Sequence, residues 1–225
     1  MRERATLAVA LGLALVGMAC GGAETSVVNQ YFTALNANDT NTLTSFASVT
    51  LDKKVDSWTI VSASEETRGQ APLPDLVAKH GELQAELEQN KKAYRAWGND
   101  LEIYPKLERV RELRKNEKKI PASLQPIEEK YDAFNAKDQE LKAAVAAAKQ
   151  AVDVETRNAR LSVGQREAIE TLPGEVVSKT VALDLTIDGQ VQPYVMGLRK
   201  YELQDDGSGA RMVSRWVVHS LDPKS

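Results

Sequence analysis

At 225 residues the chain has room for one or two domains. Its 29 Lys and Arg against 32 Asp and Glu leave a formal charge of −3, which argues against a general polyanion binder and against nucleic acid, whose electrostatic footprint is a basic domain. A single cysteine cannot close an internal disulfide, and the two histidines are not paired at metal-ligand spacing.

The chain opens with Met1-Arg2-Glu3-Arg4 and then runs apolar and uncharged from Ala5 to Val16. That is a signal peptide's layout over residues 1–19, and at about a dozen residues the run falls well short of the ~20 that cross a bilayer as an α-helix. Next comes Val16-Gly17-Met18-Ala19-Cys20-Gly21-Gly22. It resembles a bacterial lipobox, small residues before a cysteine that becomes the acylated N-terminus, with Gly17 standing where the pattern favours leucine. Gly17 and Ala19 also satisfy an ordinary signal-peptidase site, and both cleavages fall before Cys20. The resemblance implies lipid attachment, as palmitate-type acyl chains, at Cys20, followed by a short tether over 20–23. It implies an exported lipoprotein held to a membrane. With no aspartate directly after the cysteine, it implies the outer membrane facing the periplasm where the host has two membranes. Cleavage removes two cations and one anion, so the formal charge moves from −3 to −4.

From Glu24 onward, Val27, Val28, Tyr31, Phe32 and Leu35 recur at helical spacing, with Thr25 or Ser26 placed to cap the first turn. Asn38-Asp39 breaks this helix. Asp39 or Thr40 then caps a short second helix whose buried side is Leu43, Phe46 and Ala47. Between Val55 and Ser62, alternating side chains predict a strand.

Residues 75–160 are rich in Ala, Leu, Glu, Lys, Gln and Arg and read as a helical insertion. Leu76, His80, Leu83, Leu87, Asn90, Tyr94, Trp97, Leu101 and Tyr104 alternate at spacings of four and three, the seam of a coiled coil. Pro105 shifts the phase to Leu107, Val110 and Leu113, consistent with a kink or restart, and Gly98-Asn99-Asp100 is an alternative stop. A turn over Ile120–Pro126, with Ser123 placed to cap, leads to a return arm with Ile127, Tyr131, Phe134, Asp138, Leu141, Val145, Ala148, Val152 and Glu155 on its seam. The two arms predict an antiparallel helical hairpin, with i,i+4 pairs such as Asp138 to Lys142 and Asp153 to Arg157 on its exposed turns.

The last third is strand-like. Val177, Lys179, Val181, Leu183, Leu185 and Ile187 share one parity, Asp188-Gly189 is a hairpin turn, and the chain returns from Val191 to Gln204. After a turn at Asp205–Gly209, Met212, Val213, Trp216, Val217, Val218 and Leu221 complete a three-stranded antiparallel meander. The fold class expected is α+β: a curved antiparallel sheet with N-terminal helices, plus a long inserted antiparallel α-helical hairpin or coiled coil. Residues 24–62 and 172–221 form the sheet domain, and 63–171 the insertion with its linkers.

Tyr31-Phe32-Thr33-Ala34-Leu35-Asn36-Ala37-Asn38-Asp39 and the Trp216-Val217-Val218 ending resemble the nuclear transport factor 2-like fold, a cone-shaped, cystatin-like sheet around a helix. Small versions of that fold occur in bacterial lipoproteins of unassigned function. The family's enzymes resemble ketosteroid isomerase or scytalone dehydratase and place a carboxylate or His–Asp pair in the cone. The resemblance makes Asp52, Asp56 and Asp184 the nearest carboxylates and Trp58, Tyr194 and Trp216 the candidate cavity lining. Where the family has a short third helix, this chain carries its long excursion.

No catalytic set, cofactor motif or metal site emerges: His80 sits on the helical seam, His219 near the end of the last strand, and neither has an evident partner. Near the hairpin tip Arg109, Arg111, Arg114, Lys115, Lys118 and Lys119 form an uneven basic stretch, opposed by Glu112 and Glu117. It is either a solvated face or a contact for an anionic partner: lipid, cell-wall polymer or an acidic protein. The leading expectation is a noncatalytic interaction or scaffold module that presents its hairpin to an envelope protein or cell-wall partner, and the alternative is a small-ligand binder or isomerase-like enzyme using the cone. Oligomeric state is left open.

Overall fold

The structure, a computed structural model, describes residues 22–165, 168–205 and 209–224. Cys20 and residues 1–19, where the signal peptide is expected, lie outside the described residues. The described chain is α+β, with five helices, one of them long, and a five-stranded antiparallel sheet.

Helix α1 (Ala23–Asn36) starts before the expected caps Thr25 and Ser26: Gly22 is its N-cap and no side chain caps it. Glu24 instead puts a carboxylate in the first turn, where the helix dipole favours negative charge, and pairs with Lys179 at 3.0 Å. The face expected to be apolar is inward, with Val28, Tyr31 and Phe32 fully buried. Asn38 takes a positive φ of 54°, and Asp39 then caps α2 (Thr40–Phe46) by accepting from the Thr42 amide at 3.0 Å.

Two side chains of α1 hold the following loop. Tyr31 accepts from the Leu51 amide at 3.1 Å and donates to the Val49 carbonyl at 3.3 Å, and burial pushes its phenol up to about 12. Asn36 brackets Val55, donating to its carbonyl at 2.7 Å and accepting from its amide at 3.1 Å. Val55 is therefore buried in the loop, held by a side chain rather than a ladder, and strand β1 (Ser57–Ala63) starts later than the alternation implied.

β1 and β2 (Thr67–Gln70) lie along the same side of β3 (Gly174–Ile187), β1 against Val181–Thr186 and β2 against Glu175–Ser178. Residues 67–70, expected in a linker, are thus a strand. β3 pairs along its full length with β4 (Gln190–Leu203) through a turn in which Asp188 and Gly189 both take positive φ, as a tight type I′ hairpin requires. β5 (Val217–Pro223) pairs with Tyr194–Arg199 and completes the expected meander. Met212 and Val213 are not in it, and Val213 is 95% exposed.

Arg215 explains why the last strand begins late. Its amide donates to the Ser162 carbonyl at 3.0 Å, and its guanidinium reaches the carbonyls of Leu161 at 2.8 Å and Ser45 at 2.6 Å. The approach to β5 is drawn toward the helices rather than the sheet. Arg215→Ala should cost about 2 kcal/mol in urea unfolding, because charge-assisted bonds to two helix-end carbonyls are lost together; an unchanged midpoint would show the clip to be idle.

Between β2 and β3, over the stretch expected to be an insertion, the chain forms three α-helices. α3 (Leu73–Gly98) and α5 (Gln125–Val163) pack together, and the pairs Asn90–Phe134 and Tyr94–Tyr131 show their numbers rising and falling in opposition. Every expected seam position from Leu76 to Trp97 and from Ile127 to Glu155 is buried or half-buried. At ~1.5 Å per residue the 39 residues of α5 span about 58 Å. Ser123 lies inside a short 3-10 turn, Ala122–Leu124, and caps nothing, while Pro126 sits in the first turn of α5.

The seam does not continue past Gly98. Leu101 is 92% and Tyr104 53% exposed, and α4 (Tyr104–Lys115) begins after a break. Arg111 of α4 donates to the Tyr94 hydroxyl, 17 positions earlier. A straight continuation would separate them by ~25 Å, beyond the reach of both side chains, so the chain turns back at 99–103 and lays α4 against the first turns of α5, where Arg114 meets Glu128 and Asp132. Leu107, Val110 and Leu113 are its buried stripe.

Two cores result. In the first, α1 and α2 cover Val181, Leu183, Leu185 and Ile187 of β3 with Tyr194, Met196 and Leu198 of β4. In the second, Leu73 of α3, Ala159 and Val163 of α5 and Ile169 pack on Tyr201 and Leu203. The register pairs Val181 with Met196 but Val176 with Tyr201, so the two cores use opposite parities and hence opposite faces of one pleated sheet. The base of the helical insertion is therefore part of the fold's interior.

Candidate functional site

The basic stretch at the far end of the helices is divided by its ion pairs. Arg109 pairs with Glu112 at 2.6 Å, Arg111 with Glu108, and Arg114 with both Glu128 at 2.8 Å and Asp132 of α5. These pairs are exposed and each contributes at most about 1 kcal/mol, but they spend the arginine forks internally. Arg111 and Arg114 also flank the Tyr131 ring, at 5.7 and 5.4 Å from its centroid. Lys115, Lys118 and Lys119 remain exposed and make no ion pair among the described residues. Of the six cations, only the lysines are free to meet an anionic partner.

Behind them, Tyr94, Trp97, Tyr131 and Phe134 form one aromatic cluster with ring separations of 5.5 to 6.2 Å. All four lie half-buried on the seam and join α3 to α5, and Tyr94 and Phe134 also line a hollow of ≈ 250 Å³.

The base of the insertion holds polar groups that sequence reasoning missed. Glu155, 5% exposed, accepts from the Tyr201 hydroxyl at 2.7 Å and from Arg199 at 3.0 Å. Burial, then the Glu155 charge, pushes the Tyr201 phenol up, keeping it a donor. Ser162 accepts from the Tyr201 amide at 3.0 Å and donates to the Arg215 carbonyl at 2.8 Å, covering the part of β4 that β5 does not reach. The available signal was a carboxylate at the end of the seam, after the apolar run Leu141, Val145, Ala148 and Val152. A buried carboxylate there requires a partner.

The groups expected around a sheet cavity are not gathered. Trp58 stacks on Phe32 with centroids 5.1 Å apart, donates to Asn29 at 2.9 Å, and lines a ≈ 580 Å³ groove between α1 and β1. Trp216 lines a different hollow of ≈ 280 Å³ and lies under Lys200. Tyr194 is 7% exposed within the first core and lines neither. Asp52 is exposed beside Lys53 and Lys54, and Asp56 accepts from the Gly189 amide at 3.2 Å. Asp184 alternates with the buried Leu183 and Leu185 and so points to the face opposite the first core.

His80 lies on the seam with its Nε2 buried and unpartnered among the described residues. His219 sits over Gly197, where an added Cβ would fall 2.7 Å from its Nε2, and burial with the nearby Arg199 charge lowers its pKa to about 4. It is neutral near pH 7, with the Arg199 charge opposing its protonation and Asp222 favouring it. Among the described residues no three His, Cys, Asp or Glu are placed to hold a metal, and no helix is long and apolar enough to cross a membrane.

No protein-family profile matches the chain, and neither a curated protein nor a solved structure is similar to it.

Proposed function

We propose that the chain is an exported envelope protein, lipid-anchored through Cys20, that works without catalysis as an interaction or scaffold module. In this reading α1, α2 and the sheet are a cone-like domain of nuclear transport factor 2-like type. α3 and α5 form an antiparallel helical hairpin, closed at its far end by α4, that carries the contact surface away from the membrane. The observation that supports it best is the combination of a ~58 Å helix with a base fixed in the core by Glu155, Ser162 and Arg215. A rigidly rooted arm positions a partner, and a loosely hinged one does not. The free lysines 115, 118 and 119 make an acidic envelope protein or cell-wall polymer the fitting partner class.

Because the base belongs to the core, the arm is best tested by removing only its distal part. Replacing residues 84–141 with a short turn should keep the sheet domain folded. In the full chain a photo-crosslinker at position 118 should form a discrete adduct in cells, and the deletion variant, which lacks that position, should no longer co-purify the captured partner. Adducts from a crosslinker on the sheet at position 186 that survive the deletion, with none from position 118, would move the contact surface to the sheet and sink the proposal.

The ligand-binding or isomerase-like reading would need an aromatic-lined cavity with a carboxylate facing it. Trp58, Tyr194 and Trp216 share no hollow, and no observation favours that reading.

A further inference from the structure

Where the root of the insertion meets α2, a cavity of ≈ 480 Å³ is lined by Thr44, Asp153, Thr156, Arg157, Arg160 and Glu170, among others. It does not belong to the distal helical surface or to the first core. Its volume is in the range of small-ligand sites. Thr156, Arg157 and Arg160 fall at i, i+1 and i+4 on α5, which turns them to one side of the helix near its end.

Its two arginines and two carboxylates balance formally but pair unevenly. Arg160 is held by Glu170 at 2.9 Å, a bond that fixes the direction of its guanidinium while its Nε remains buried and unpartnered. Asp153 was expected to neutralise Arg157 at i+4 but pairs with Lys149 at 2.6 Å instead. Arg157 is consequently left without an ion pair among the described residues, at the mouth of the cavity. Thr156 is 9% exposed, and its hydroxyl finds no partner among the described residues. A buried hydroxyl and a guanidinium nitrogen left unsatisfied cost stability unless something completes them.

We propose that this cavity binds a small oxyanion-bearing ligand, a phosphate or carboxylate compound. Arg157 supplies the uncompensated charge, the pre-oriented Arg160 supplies a second guanidinium, and Thr156 supplies a hydroxyl donor. The site stands independently of the lipid-anchor reading, since it uses no residue of the leader and none of the distal arm. Its ligand occupies the joint between α2 and α5.

The test is a titration of the folded protein with inorganic phosphate and, in a second arm, with succinate, read by amide shifts of residues 153–161 at constant ionic strength. Saturable shifts with either anion are expected, the stronger binder naming the source. Arg157→Ala should weaken binding about tenfold or more, Thr156→Val severalfold, and Arg109→Ala on the distal helix should leave it unchanged. Shifts that never saturate, or that persist undiminished in Arg157→Ala while the variant retains the wild-type unfolding midpoint, would overturn the proposal.

Discussion

Glu155→Ala is expected to lower folding stability by about 3 kcal/mol, because it strands two donors that meet nowhere else. Glu155 is 5% exposed and Tyr201 fully buried, so removal leaves the phenol without its 2.7 Å acceptor and Arg199 without its 3.0 Å carboxylate. Breaking a buried pair from one side costs more than the pair itself contributes. Glu155→Gln keeps an acceptor for Tyr201 and should lose roughly half as much. A cycle with Tyr201→Phe should recover part of the loss, since an absent hydroxyl needs no acceptor. Amide exchange over residues 152–163 is the informative local readout. If Glu155→Ala unfolds with the wild-type midpoint and wild-type protection there, the root of α5 is held by its apolar contacts alone.

The second large effect is a pH dependence carried by His219. Its imidazole, seated over Gly197 on the β5 bulge, faces Arg199 from β4, with Asp222 on its own strand; Glu155 of α5 is engaged by Arg199. Burial comes first among the causes and the Arg199 charge second, both opposing the imidazolium, while Asp222 opposes them weakly. The folded pKa, about 4, lies below the ordinary 6.5, so the unfolded chain binds the proton more readily. The contribution is thus present above pH 6.5 and is lost as pH falls from there toward 4. Its ceiling is about 3 kcal/mol, reduced because the ring keeps some exposure. Urea midpoints of wild type and His219→Asn between pH 7.5 and 4.5 should converge as the wild type loses stability. The carboxylates of Glu24, held low by its own backbone amide and then by Lys179, and of Glu202, held low by Arg68 and Lys200, act in both proteins alike. A constant gap across that range would show that the imidazole is not differentially protonated.

Much of the fold could be read from residue patterns because burial and periodicity act locally. The seam of α3 and α5, the α1 face, the Asp39 cap and the Asp188-Gly189 turn each depend on neighbours within one or two turns of chain. The misses are tertiary. A stripe of Leu107, Val110 and Leu113 reads the same whether α4 prolongs α3 or folds back, and the distant contacts Arg111–Tyr94 and Arg114–Asp132 decide. Thr67-Arg68-Gly69-Gln70 is exposed throughout and has no apolar alternation, so its pairing with β3 leaves no mark in composition. Met212 and Val213 carry strand propensity, yet Arg215 draws that segment to α5. At the candidate sites, residue type named Trp58, Tyr194 and Trp216 without revealing that Trp58 and Trp216 face different hollows while Tyr194 packs in the first core. The lone acid at the end of the seam was visible, but its partners Tyr201 and Arg199 lie 46 and 44 positions away.

Anchoring at Cys20 is most directly tested by the intact mass of protein extracted from membranes, compared with Cys20→Ala. The expected wild-type mass lacks residues 1–19 and carries acyl chains on Cys20, whereas the variant is unacylated and leaves the membrane fraction. A wild-type chain with a free thiol at Cys20, or one still bearing residues 1–19, would contradict the lipid-anchored reading.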